Sequence, residues 1–120
     1  MDASALMMPV EAGVRVFEEL DRLLGEYEAV VPAAVVAELE KISADGSEAG
    51  RAASVGRDLA ERCATVETEA SYADDALVEL ANEDRVEAVV TNDQPLGARL
   101  REAGTQVIHL RGRNKLTLTD

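Results

Sequence analysis

The stretch from Val86 to Leu96, Val-Glu-Ala-Val-Val-Thr-Asn-Asp-Gln-Pro-Leu, constrains the fold of this chain more than any other. A short apolar run ends in a hydroxyl, an amide and a carboxylate, and a helical pattern begins at once. Ala88-Val89-Val90 is bounded on both sides by helical periodicity, and therefore reads as a buried strand of a parallel sheet. In open α/β sheets, ligands bind at the carboxyl ends of strands, which is where Thr91, Asn92 and Asp93 fall.

The rest of the chain alternates in the same way. Val16, Leu20, Leu23 and Leu24 share one face of a helix expected from Gly13 to Leu24, with Arg15, Glu18, Glu19 and Arg22 facing outward. Tyr27 to Val31 reads as a strand, and Pro32 suits the first turn of a helix carrying Val35, Val36, Leu39 and Ile42. The polar loop Ser43-Ala44-Asp45-Gly46-Ser47 follows. Glu48 to Cys63 reads as a helix weakened by Gly50 and Gly56, and Thr65 to Thr68 as an edge strand. A helix opens at Ser71 and contains Ala76, Leu77, Leu80 and Ala81. After the organising strand come a helix from Pro95 to Ala103, a strand from Gln106 to Leu110 and a short segment Leu116-Thr117-Leu118. Strands alternating with helices over 120 residues predict one domain, residues 1–120, with a doubly wound α/β fold. No internal repeat or low-complexity segment interrupts it.

Composition excludes several classes. A single Cys63 rules out an internal disulfide framework. No apolar run approaches the ~20 residues needed to span a bilayer, and no basic-then-apolar leader opens the chain, so a cytoplasmic protein is expected. Aromatic residues make up 2% of the chain, too few for a base-stacking platform. With 24 acidic and 12 basic residues the net charge is -12, which argues against a broad non-specific nucleic-acid footprint. Lys41 and Lys115 are the only lysines among many acids. Such a surface suits high salt, where charge is screened within ~3 Å at molar ionic strength.

Three other acids can be brought to the edge where Asp93 lies. Asp2 stands where a first strand would end, Glu38 lies about two turns into a helix that leaves a strand directly, and Asp75 sits in the first turn of its helix. Taken singly, each has an ordinary explanation as a helix cap or solvated side chain. Together they do not, because two carboxylates ~4 Å apart repel by several kcal/mol at an effective dielectric near 20. Converging acids need a cation, or some must stay protonated. Oxygen-only ligands point to Mg²⁺ or Mn²⁺, while a lone His109 and Cys63 leave zinc without its usual partners.

The order Asp-Ala-Ser-Ala-Leu (2–6), Val-Pro-Ala-Ala-Val-Val-Ala-Glu-Leu (31–39), Ala-Asp-Asp-Ala-Leu-Val-Glu-Leu-Ala (73–81) and Val-Val-Thr-Asn-Asp (89–93) resembles the PIN-domain ribonucleases. Within them it looks closest to archaeal proteins similar to the PIN nucleases of ribosomal RNA maturation, and more loosely to VapC-type toxins. The resemblance implies a three-layer α/β/α fold with a central parallel sheet. It also implies cleavage of single-stranded RNA with Mg²⁺ or Mn²⁺ held by acids. By the match, Asp2, Glu38, Asp75 and Asp93 are the catalytic, metal-holding acids; Thr91 and Ser4 support them, and Asp74 is the alternative to Asp75. One departure stands out: the family has an apolar strand ahead of the first acid, and here only Met1 precedes Asp2. Either the true start lies upstream, or the first strand is truncated and Asp2 loosely held; a truncated strand would expose a sheet edge and invite association, for instance as a homodimer.

Arg99, Arg101, Arg111, Arg113 and Lys115 cluster late in the chain, as a solvated helix face and basic tail or as a phosphate-contacting rim. His109, Cys63, Met7 and Met8 read as structural. The expected activity is metal-dependent endoribonuclease action, in ribosomal RNA processing with an assembly partner or in a toxin with its antitoxin. One rival is a binding module with a crippled site. Another is a signalling receiver domain, which needs a strand-end lysine this sequence does not offer.

Overall fold

The computed structural model describes residues 1–119. Asp2 caps α1 (Ala3–Glu11), its carboxylate accepting the Ala5 N–H at 2.8 Å. This helix is absent from the sequence reading, because Pro9 near its end removes a donor and reads as a breaker. Ala12 closes the helix by donating to the Met8 carbonyl at 2.8 Å, and Met7 and Met8 enter the core as expected. Gly13, at φ +66°, turns the chain, so α2 (Val16–Leu24) starts three residues later than expected. Its inner face also differs: Leu24 is exposed and Glu19 is buried.

Then follow β1 (Val30–Pro32), α3 (Ala33–Ser43), α4 (Glu48–Ala60), β2 (Ala64–Val66), α5 (Ala73–Asn82), β3 (Ala88–Val90), α6 (Gln94–Glu102), β4 (Gln106–Arg111) and β5 (Lys115–Thr119). β1 pairs in parallel with β2, and β3 in parallel with β4. β5 pairs antiparallel with β4 through a hairpin that Gly112 turns at φ +67°. The last strand thus departs from the all-parallel expectation. The layers are α/β/α: α1 packs on α4, α3 on α4 and β1, α2 on β5, and α6 on β4. Gly56 lets α1 and α4 approach closely, since a Cβ there would lie 2.9 Å from the Leu6 carbonyl oxygen.

The central sheet is split. β1–β2 and β3–β4–β5 are separate hydrogen-bonded sets, bridged at one end by the Met1–Asp2 segment. The Met1 amine donates to the Val30 carbonyl and the Asp2 amide to the Val90 carbonyl, each at 3.1 Å. Those two residues occupy the position of the expected first strand. Among the described residues, no helix is long and apolar enough to cross a membrane.

Candidate active site at the acidic sheet edge

The carboxyl end of β3 is fixed by a network that crosses the whole chain. Thr91 is 1% exposed, and its N–H donates to the Ile108 carbonyl at 2.9 Å, extending the β3–β4 ladder. Its hydroxyl donates to Asp2 Oδ2 and accepts the Asp93 N–H at 3.0 Å. Ser4 Oγ donates to both Asp2 carboxylate oxygens (2.8 and 2.9 Å) and accepts the Asn92 N–H at 3.0 Å. Asp93 caps α6 by accepting the Leu96 N–H at 3.1 Å. Asp2, Ser4, Thr91, Asn92 and Asp93 are thereby locked into one edge.

Burial pushes the Asp2 carboxyl up, against the opposing pull of hydrogen bonds from Thr91, Ala5 and Ser4. Glu38, on α3, is raised first by partial burial and then by the charges of Asp74, Asp2 and Asp93. Asp74 is raised by burial and by Asp93, with Arg99 pulling the other way. Asp74, Asp2 and Asp93 thus bear on Glu38, and Asp93 on Asp74, so acids from four parts of the chain are gathered here. Asp75, the neighbour that the sequence reading ranked first, is exposed and bonded at 2.9 Å to Arg99. Successive residues on a helix point ~100° apart, and it is the charge of Asp74 that reaches Glu38.

The residues suit a hard divalent cation in kind, being oxygen donors throughout. In spacing they are open: among the described residues, no three acids, histidines or cysteines lie close enough to hold an ion as they stand. An ion at this edge would keep part of its water shell, as Mg²⁺ ordinarily does. The zinc alternative gains nothing. His109 Nε2 is 2.7 Å from Thr119 Oγ1, and Cys63 is buried just beyond α4.

A family model described as a PIN like domain matches residues 1–113. The chain belongs to the PIN-like domain family. A solved structure, described as that of the PIN domain endonuclease Utp24, shares 26% identity with it at a TM-score of 0.78; the match covers 98% of this chain and 86% of that one. No curated protein matches it.

In this PIN-like domain the cations named from the sequence fall in different surroundings. Arg99 stands beside the acidic group through Asp75. Arg111 and Arg113 are exposed at the β4–β5 hairpin. Because Val90 pairs with Ile108, this hairpin stands beyond the edge that carries Asp93. Lys115 Nζ instead lies 3.7 Å from Glu19, a contact that secures β5. One positioning residue escaped the sequence reading. Glu79 accepts the N–H groups of Glu69 and Ala70, both at 2.9 Å, and so holds the loop that delivers Asp74 and Asp75. On sequence, an acid on the polar side of a helix carries no such signal.

Proposed function

We propose that this PIN-like domain is a metal-dependent endoribonuclease that hydrolyses phosphodiester bonds of single-stranded RNA. The observation that carries the reading is the gathering of Asp2, Glu38, Asp74 and Asp93 at the carboxyl edge of the sheet, where the charges of Asp74, Asp2 and Asp93 bear on Glu38 and that of Asp93 on Asp74, in a chain similar to a PIN domain endonuclease. Asp2, Glu38 and Asp93 would hold Mg²⁺ or Mn²⁺ directly or through water, with Asp74 as the acid from α5 and Asp75 released to it when Arg99 engages RNA. Such an ion supplies an activated water and charge stabilisation for a phosphodiester.

The protein's own residues do the rest. Thr91 and Ser4 fix the orientation of Asp2, and Thr91 fixes the loop that carries Asp93. Arg99, Arg111 and Arg113 meet phosphates of the strand, and Lys115 secures the hairpin beside them. Ribosomal RNA processing is the setting we favour, with an assembly partner rather than an antitoxin. The test is cleavage of a single-stranded RNA with Mn²⁺: wild type cuts, and Asp93→Asn loses activity by at least a hundredfold. Equal activity in the variant removes Asp93 from the mechanism.

Two observations favour a second reading. No three of these side chains lie within reach of a common ion, and the Asp2 carboxylate is already engaged with Ser4, Ala5 and Thr91. The same fold would then bind RNA or a protein partner without cutting. Binding of the RNA that is unchanged by Mn²⁺, with no cleavage, decides for it.

A further inference from the structure

Among the described residues, two large apolar side chains stand exposed: Leu24 at 38% and Tyr72 at 65%. The chain has two tyrosines, one phenylalanine and no tryptophan, and the other two aromatic rings are occupied within the fold. Phe17 is buried, with the Arg62 guanidinium 4.0 Å above its ring. The Tyr27 hydroxyl donates to the Phe17 carbonyl at 3.3 Å. Tyr72 alone turns an aromatic face to water.

The loop that presents Tyr72 is fastened at each step. Arg85 donates to the Glu67 carbonyl at 3.4 Å, and the Thr68 hydroxyl donates to the Ala70 carbonyl at 2.8 Å. Glu79 accepts the N–H groups of Glu69 and Ala70. Tyr72 itself is extended (φ −86°, ψ 132°), and its carbonyl accepts the Ala76 N–H at 2.9 Å. Its side chain makes no capping hydrogen bond, so the ring is not what starts α5. A ring held on an ordered backbone loses little freedom on meeting a ligand.

The position of Tyr72 decides what that ligand is. α5 begins at the next residue, and Asp74 and Asp75 lie in its first turn. One helical turn rises ~5.4 Å, a span of one or two nucleotides in a strand stacked at ~3.4 Å. Arg99, itself half-exposed, is bonded to Asp75 on the same rim. The rim therefore sets an aromatic face for a base and a guanidinium for a phosphate beside the acids.

We infer that Tyr72 is a substrate-binding residue whose ring stacks on one unpaired base of an RNA strand, within one or two nucleotides of the phosphate at the acidic edge. The inference rests on the reading of that edge as an RNA-cutting site. Every base has a π-face, so a single stack discriminates little among bases. It does discriminate against duplexes, in which both faces of a base are covered by its neighbours. Tyr72 thus favours single-stranded substrate with one ring, where the composition provides no platform of several.

The experiment uses the 120-residue chain in the Asp93→Asn background with Mn²⁺ present, so that RNA is bound without being cut. The probes are two fluorescein-labelled strands: a short oligoadenylate, and an abasic strand with the same phosphates and no bases. Anisotropy should show that Tyr72→Ala weakens oligoadenylate binding about tenfold, the scale of one base stacked on an aromatic ring. Tyr72→Phe, which keeps the ring, should bind like the parent. On the abasic strand all three proteins should bind alike. Equal affinity of Tyr72→Ala and the parent for oligoadenylate overturns the inference. So does an equal loss on both strands, which would make Tyr72 a structural residue, and so does a parent that binds both strands equally or neither. Cutting is scored separately, in the wild type with Mn²⁺. Tyr72-dependent binding without cutting keeps this inference and removes the nuclease; cutting with Tyr72-independent binding does the reverse.

Discussion

Thr91 and Asp2 are 89 residues apart in the sequence, and the Thr91 hydroxyl donates to the Asp2 carboxylate in the interior. This bond joins the start of α1 to the end of β3 and ties the position of Asp2 to that of Asp93. Thr91→Val keeps the shape of the side chain but leaves the buried carboxylate without one donor. It also removes the acceptor of the Asp93 N–H. The expected cost is ~1–3 kcal/mol of stability, read by urea denaturation. Thr91→Ser should recover most of it.

Gly56 faces the α1 backbone, with the Leu6 carbonyl oxygen 2.9 Å from where a Cβ would stand. Helix propensity alone predicts that Gly56→Ala stabilises by up to ~1 kcal/mol. The close approach predicts the opposite, a loss of ~1–3 kcal/mol from forcing the helices apart. Chemical denaturation of the variant decides between them, with Gly46→Ala, which meets nothing within 4 Å, as the control.

Glu19 gives the fold a defined acid sensitivity. The Arg22 guanidinium and the Leu116 N–H hold its carboxyl at about 2, against an ordinary value of 4.5. A carboxylate lowered in the folded state contributes stability that is full above 4.5 and is lost as pH falls toward 2. Thermal melts of wild type and Glu19→Gln should therefore converge as pH is lowered through that window. A constant gap between them across it contradicts this account.

Asp74 has the reverse sign. Its carboxyl is raised above the ordinary 3.8 by burial and by Asp93, so its charged form opposes folding at neutral pH. Asp74→Asn should raise the melting temperature of the metal-free protein at pH 7 by about 1–3 °C, a partly exposed charge having a modest effect. Below pH 3 the two proteins should melt alike.

Much of this architecture was legible because local pattern and tertiary role agree. Ala88–Val90 is a buried strand in sequence and in structure, and Thr91, Asn92 and Asp93 stand at its carboxyl end in both. Elsewhere long-range contacts override local signals. Glu19 looked solvated because its partner Leu116 lies at the far end of the chain. Gly56 looked like a helix flaw because α1 had been hidden by Pro9. The choice between Asp74 and Asp75 turns on ~100° of helix rotation, which the spacing of motifs does not resolve. The split sheet follows from pairing between distant segments and leaves no mark in either strand.

The central claim is that folding gathers carboxylates whose repulsion a divalent ion relieves. Calorimetric titration of Mn²⁺ into the metal-free protein tests it most directly. The account predicts one site in the wild type, at least tenfold weaker in Asp93→Asn and in Asp74→Asn. No heat of binding in the wild type, or equal affinity in all three proteins, would contradict it.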